Sequence, residues 1–224
     1  MSIRAIHPFL RAHLVYPLAL STLLCATLLV GRLILSGRHD YLFLRWNLFL
    51  AWVPYLLALG VVRAAKGAPR RPWRVAILGV AWLLFLPNAP YLMTDFKHLL
   101  RPRPFPFFYD AAMIFAFAWT GLLLGLTSLH LLQERVRLAW GGAAAVAFVV
   151  GTALLTGAGV YLGRFLRWNT WDVVTRPGDL LAAFARALRD PLGQTHAIGH
   201  TLVFATIVLL CHWTFQSFRC AARA

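Results

Sequence analysis

The sequence predicts an all-α membrane protein, a polytopic bundle of about six transmembrane helices, and three observations carry that prediction. Hydrophobic residues make up 60% of the chain, charged residues only 13%, and mean hydropathy is +0.69, far from the values of a soluble domain. The apolar residues gather in runs of roughly 20, the length needed to cross a hydrocarbon core about 30 Å thick. Between those runs lie most of the 22 Lys and Arg residues, set against only 7 Asp and Glu. In a soluble chain that surplus would suggest nucleic acid; between apolar runs it reads as loop charge that fixes orientation and meets anionic headgroups, so no nucleic-acid partner is expected. The spans consume the chain, and residues 1–224 are expected to form a single integral membrane domain.

The first span, 14–35, follows Arg4 and Arg11, outruns a signal-peptide core and lacks a small-x-small cleavage site, so it is expected to be retained. The second, 41–62, carries Arg45 and Asn47 one turn inside and Pro54 in its interior, features that call for protein rather than lipid around them. The third, 75–93, is interrupted by Leu86-Pro87-Asn88-Ala89-Pro90. Its unbroken part, 75–86, would rise only about 18 Å, so the break is expected inside the membrane. There each freed carbonyl or N–H needs a partner from protein or a water-filled cavity, which makes the break the first place to look for function. The fourth span, 107–132, is reached through Arg101-Pro102-Arg103-Pro104-Phe105-Pro106, a stiff extended linker. The fifth, 138–162, is rich in Gly and Ala and suited to close helix approach. The sixth, 198–218, follows a long connection in which Asp179 caps an amphipathic interfacial helix that Pro191 stops, over about 179–190. Cys25, Cys211 and Cys220 stand apart with no metal or disulfide spacing.

Six spans place both termini on one side, and the dense basic group from Arg63 to Arg74 assigns that side to the cytoplasm. On this topology Asp40, Asp95, Asp110, Asp172, Asp179 and Asp190 all face outward, and only Glu134 faces inward. Acids contribute little to orientation, so their concentration on one face suggests that the face uses them. Phe43-Leu44-Arg45-Trp46-Asn47 recurs as Phe165-Leu166-Arg167-Trp168-Asn169. Both copies lie on one face, which argues against an inverted repeat and for two segments adapted to one environment.

The stretch Leu86-Pro87-Asn88-Ala89-Pro90-Tyr91-Leu92-Met93-Thr94-Asp95 with His98-Leu99, the tetrad Ala118-Trp119-Thr120-Gly121, and the run from Gly159 through Arg164 and Trp168 to Asp172 together resemble the uncharacterised bacterial membrane proteins called domain of unknown function 1361. The resemblance covers most of the chain. It implies an integral protein of the bacterial cytoplasmic (inner) membrane with no assigned activity, and it leaves the chemistry open.

Candidate site residues cluster on the expected outer face. Asp95 and His98, spaced i, i+3, share a face of any helix that follows Pro90 and are the catalytic candidates, as an acid–base pair; the alternative is a structural hydrogen bond. Arg45, Arg164 and Arg167 form a candidate anion clamp, because guanidinium forks suit phosphate and carboxylate. Asp95, Asp110 and Asp172 balance those arginines, so a closed salt-bridge network is the competing reading. Asn47, Asn88, Trp168 and Asn169 complete the ligand-binding set, with Asn88 expected to satisfy the broken backbone. His196 and His200, spaced i, i+4, could meet one metal ion with Asp110 or Asp172 as a third ligand, but Gly199 loosens their turn and neither metal nor cofactor is expected.

No Gly-x-Ser-x-Gly elbow and no phosphate loop occur, which removes the familiar soluble enzyme classes. The expected function is non-enzymatic binding of a small anionic or lipid-headgroup ligand in an outward polar pocket, by a carrier, receptor or accessory subunit. The alternatives are a membrane-embedded transferase or hydrolase on a lipid-linked substrate, with Asp95 or His98 as base, and a structural partner in a membrane complex. The lipid bilayer is the expected surrounding partner, and a homodimer or larger complex is compatible with the chain.

Overall fold

The structure is a computed structural model describing residues 14–65, 72–100, 105–168, 172–179, 182 and 195–221. The described residues build a helical bundle whose long helices are apolar enough to cross a membrane. Helix α1 (Val15–Ser36) ends where Gly37, at φ 64°, takes the left-handed conformation and returns its N–H to the Leu33 carbonyl at 2.9 Å. Helix α2 (Phe43–Ala64) runs unbroken through Pro54, which is buried against neighbouring protein. Helix α3 (Pro72–Phe85) is followed by the one-turn α4 (Asn88–Tyr91) and a 3-10 segment (Leu92–Leu100).

The next helical run, Phe107–Phe165, is 59 residues long but contains Gly141 at φ 87°, ψ 179°, a conformation open essentially to glycine alone. It is therefore two helices, α5 (107–140) and α6 (142–165). They fold back on each other: Leu126 and Leu129 of α5 and Thr156 of α6 line one small void beside Leu86, and Leu132 clusters with Val149 and Ala153. The expected loop between the fourth and fifth spans, near Glu134 and Arg137, is thus replaced by helix. Arg137 pairs with Glu134 at 2.7 Å along one helix face, and the chain reverses only at Gly141. A short α7 (Asp172–Thr175) precedes the last long helix, α8 (Thr195–Ala221). Apart from Asp179, which is exposed, and residue 182, the expected interfacial helix over 179–190 lies outside the described residues.

Elementary backbone accounting explains the break after α3. Pro90 has no N–H, so the Leu86 carbonyl loses its usual i+4 donor. The Ala89 N–H supplies that carbonyl instead, at 3.0 Å. This would strand the Phe85 carbonyl, and the Asn88 side-chain amide donates to it at 2.9 Å. The turn is also sealed by protein, with Leu86, Ala89 and Leu92 almost wholly buried. Glycines make room for it. A Cβ on Gly121 would lie 2.6 Å from the Ala89 carbonyl oxygen, one on Gly125 would lie 2.9 Å from the Ala89 Cβ, and one on Gly159 would meet the Pro87 ring. The α5–α6 hairpin thus provides a glycine-lined seat for the irregular segment, as hydrocarbon requires.

Mid-bundle hydrogen bonds tie helices across the apolar interior: Trp52 Nε1 donates to Thr22 Oγ1 and Trp82 Nε1 to Ser128 Oγ, each at 3.1 Å. Alternation of the helices then brings the end of α1, the start of α2, the 3-10 segment, the start of α5, the end of α6 and the start of α8 to one end of the bundle. Buried charge gathers at that end.

Candidate functional site

Asp95 is the anchor of this end. The 3-10 segment carries it inward until only 1% of it is exposed. Its Oδ2 accepts from Asn47 Nδ2 of α2 at 2.9 Å, and its Oδ1 lies 3.5 Å from Arg164 Nη1 at the end of α6. His98 Nε2 stands 4.0 Å from the same Oδ1, because side chains at i and i+3 eclipse in a 3-10 helix. The His98 ring packs on Phe43, with centroids 4.6 Å apart.

Arg164 is held from several directions. Its Nη2 donates to the Thr94 carbonyl at 2.6 Å and its Nη1 to the Tyr91 hydroxyl at 3.3 Å, while the guanidinium carbon lies 5.5 Å from the centroid of the Tyr91 ring. The Thr94 hydroxyl in turn donates to the Tyr91 carbonyl at 2.7 Å. The segment released by the Pro87–Pro90 break is what allows these carbonyls and side chains to converge on one cation.

Arg164 borders a groove of about 510 Å³, lined by Thr94, Lys97, Val160, Tyr161, Arg164, Phe165, His200 and Phe204. The described lining holds three basic side chains and no carboxylate; Asp95 is not among its wall residues. His200 Nδ1 lies 2.8 Å from the His196 carbonyl oxygen, which can only accept, so Nδ1 carries a proton and Nε2 is the nitrogen left for other partners. The His200 ring also meets Phe165 edge-on at 4.5 Å between centroids.

A second buried ion pair was absent from the sequence reading. Arg32 of α1 donates through Nε to Asp110 Oδ1 at 2.6 Å and through Nη2 to Oδ2 at 3.3 Å, and Tyr41 donates its hydroxyl to Oδ2 at 3.0 Å. Phe105 covers the guanidinium at 3.9 Å. Arg32 is 1% exposed and Asp110 4%. The signal was present: Arg32 is the single charge of the first span, Asp110 the single acid of the fourth, and charges within a membrane usually pair.

The three arginines of the expected clamp have different surroundings. Arg45 lies on the exposed side of α2 and Arg167 is exposed beyond α6, so only Arg164 of the three borders the groove. Of the anticipated three-on-three network Asp95 does pair with Arg164, whereas Asp110 pairs with Arg32 rather than with one of the three arginines; Asp172 lies 3.5 Å from the Thr175 hydroxyl of its own short helix. Asn47 holds Asp95, Asn88 caps Phe85, and Trp168 returns its N–H to the Leu162 carbonyl; none of the three borders the groove. Asn169 lies outside the described residues. The two copies of the repeated pentapeptide open α2 and close α6, so their shared residues occupy different backbone settings.

Among the described residues no group of three His, Cys, Asp or Glu side chains is placed to hold a metal ion. Asp110 cannot join His196 and His200 as a third ligand while it is sealed against Arg32 and Tyr41. At the opposite end of the bundle a set of histidine and glutamine side chains gathers instead. His212 Nε2 lies 2.7 Å from Gln133 Oε1, Gln216 bonds to both, and the His130 ring stands 6.4 Å from that of His212.

Comparison with known proteins returns no curated relative and no solved structure that matches. A family model described as protein of unknown function (DUF1361) matches residues 46–211, which hold the broken helix, Asp95, Arg164 and the whole groove lining. The chain's own helices have membrane-spanning length and composition, and with most of its 224 residues inside that match the chain belongs to the domain of unknown function 1361 family.

Proposed function

We propose that this protein binds a small anionic or lipid-headgroup ligand in the groove bordered by Lys97, Arg164 and His200, on the outward face of the membrane, and serves as a carrier, receptor or accessory subunit. The observation that carries the reading is a groove of about 510 Å³ with a basic lining and no carboxylate among its described wall residues. That volume falls in the range of small-molecule sites. Asp95 supports the site from behind: it orients Arg164, and Asn47 holds Asp95 in turn. A preset guanidinium loses little freedom when an anion arrives, which favours binding.

The catalytic alternative is less well supported. A general base must reach the proton it removes, whereas Asp95 is 1% exposed and already accepts from Asn47. The test is thermal unfolding of the purified protein in detergent against phosphate esters, carboxylates, sugars and divalent cations, with Lys97→Gln and Asp95→Asn alongside. A saturable upward shift with phosphate esters that weakens in Lys97→Gln supports the anion site. Absence of any saturable shift removes it, and turnover of a lipid-linked substrate abolished by Asp95→Asn would establish the enzyme instead.

A further inference from the structure

The lining of the groove points beyond an anion to an amphiphile. Lys97 on the 3-10 segment, Arg164 on α6 and His200 on α8 supply its basic side chains, and Tyr161, Phe165 and Phe204 supply an aromatic wall beside them. The two sets adjoin, the His200 ring standing 4.5 Å from that of Phe165 and 6.2 Å from that of Tyr161 between centroids. Phe165 is 51% exposed, so the wall is open to a ligand, whereas Val160 is 1% exposed and only closes the floor. A Cβ on Gly157 would collide with the Thr201 backbone, so α6 and α8 pack together beneath the groove.

A free inorganic anion would use the basic side chains and leave the aromatic wall uncovered. A cationic head would meet Lys97 and Arg164 directly, because Asp95, the carboxylate that pairs with Arg164, is 1% exposed and lies outside the described lining. Resting on the anion-site reading above, we propose that the ligand is an anionic amphiphile: a phosphate head at Lys97, Arg164 and His200, with the first methylenes of its chain against Phe165 and Phe204. Each methylene buried against such a wall tightens binding about fourfold, whereas one left in water adds nothing.

The experiment is a chain-length series that stays in aqueous solution. The full chain is purified into nanodiscs of zwitterionic lipid, and ethyl, butyl and hexyl phosphate are titrated against it by thermal shift, with glycerol phosphate and the matching alcohols as controls. Affinity is expected to rise at least tenfold from ethyl to hexyl phosphate, with no saturable response to the alcohols. Phe204→Gln should flatten the series, so that ethyl and hexyl phosphate bind alike, and Lys97→Gln should weaken every phosphate. Should Phe204→Gln fail to fold, Phe165→Gln, at an exposed position of the same wall, carries the same test. A flat series with retained phosphate binding would overturn the amphiphile and leave the anion site standing. If no phosphate binds saturably, both readings fall; if butanol and hexanol match their phosphates, the head has no electrostatic role and the proposal is overturned.

Discussion

At the scale of single residues, buried charge is organised by pairing, and the pairs differ in how readily the sequence shows them. Asp95 and His98 stood out because they follow an evident break, and Arg164 as a charge at the outer end of its span, whereas Arg32 is one cation in an apolar helix and its acid lies 78 positions away. Sequence spacing carries no information about such a partner; only the rule that membrane charges pair could have linked them. Breaking the pair leaves one charge uncompensated. Asp110→Asn or Arg32→Met is expected to lower stability by about 3–5 kcal/mol, and the double variant Arg32→Met with Asp110→Leu to recover most of that loss, as read by reversible unfolding in detergent. Additive losses in the double variant would show that the two residues act independently. Arg167 offers a test of opposite sign. It sits at φ 57°, in the left-handed region that disfavours side chains. Arg167→Gly is expected to raise stability by about 1 kcal/mol; a loss would mean that the exposed guanidinium makes contacts worth more than its backbone strain.

At the scale of elements, the broken third helix was legible because proline chemistry is local: two missing N–H groups and a nearby amide dictate where the carbonyls turn. The seat beneath it was less legible. Glycines of the fifth span announced close packing, but Gly121 and Gly125 lie in a helix that otherwise reads as an ordinary apolar span, and their partner Ala89 is remote in sequence. The end of that helix was misplaced for a related reason. Glu134 and Arg137 look like loop charges, yet they pair along a helix that continues until Gly141 supplies the one backbone state able to reverse it. Two substitutions separate tight glycines from idle ones. Gly121→Ala must push a methyl against the Ala89 carbonyl and is expected to cost about 1–3 kcal/mol, with loss of groove binding as the 3-10 segment shifts. Gly151→Ala, which meets nothing within 4 Å, should stabilise α6 by about 0.5–1 kcal/mol. Equal melting temperatures for the two variants would contradict the seat.

At the scale of the whole molecule, the two ends of the bundle carry different chemistry. One holds the buried Asp95–Arg164 and Asp110–Arg32 pairs and the basic groove; the other holds the His212, Gln133 and Gln216 set beside the surface Glu134–Arg137 pair. Sequence composition foreshadowed this division through the placement of acids, but which side of the membrane each end faces follows only from loop charge. Arg63 closes α2 and Arg74 opens α3 at the end that holds Gln133 and His212, and the sequence between them carries Lys66, Arg70 and Arg71. Short loops rich in arginine stay in the cytoplasm, so the groove end is expected to face outward. Lys97 provides the readout because it is exposed at the groove mouth. In a variant with Cys25, Cys211 and Cys220 replaced by Ser or Ala, Lys97→Cys should react with a membrane-impermeant maleimide added to intact cells, and Arg137→Cys should react only after the membrane is opened. The opposite labelling pattern would turn the groove toward the cytoplasm. The bundle and its anion site would be unaffected, but the ligand would then have to come from the inner leaflet or the cytosol, and the accessible pool of phosphorylated amphiphiles would change accordingly.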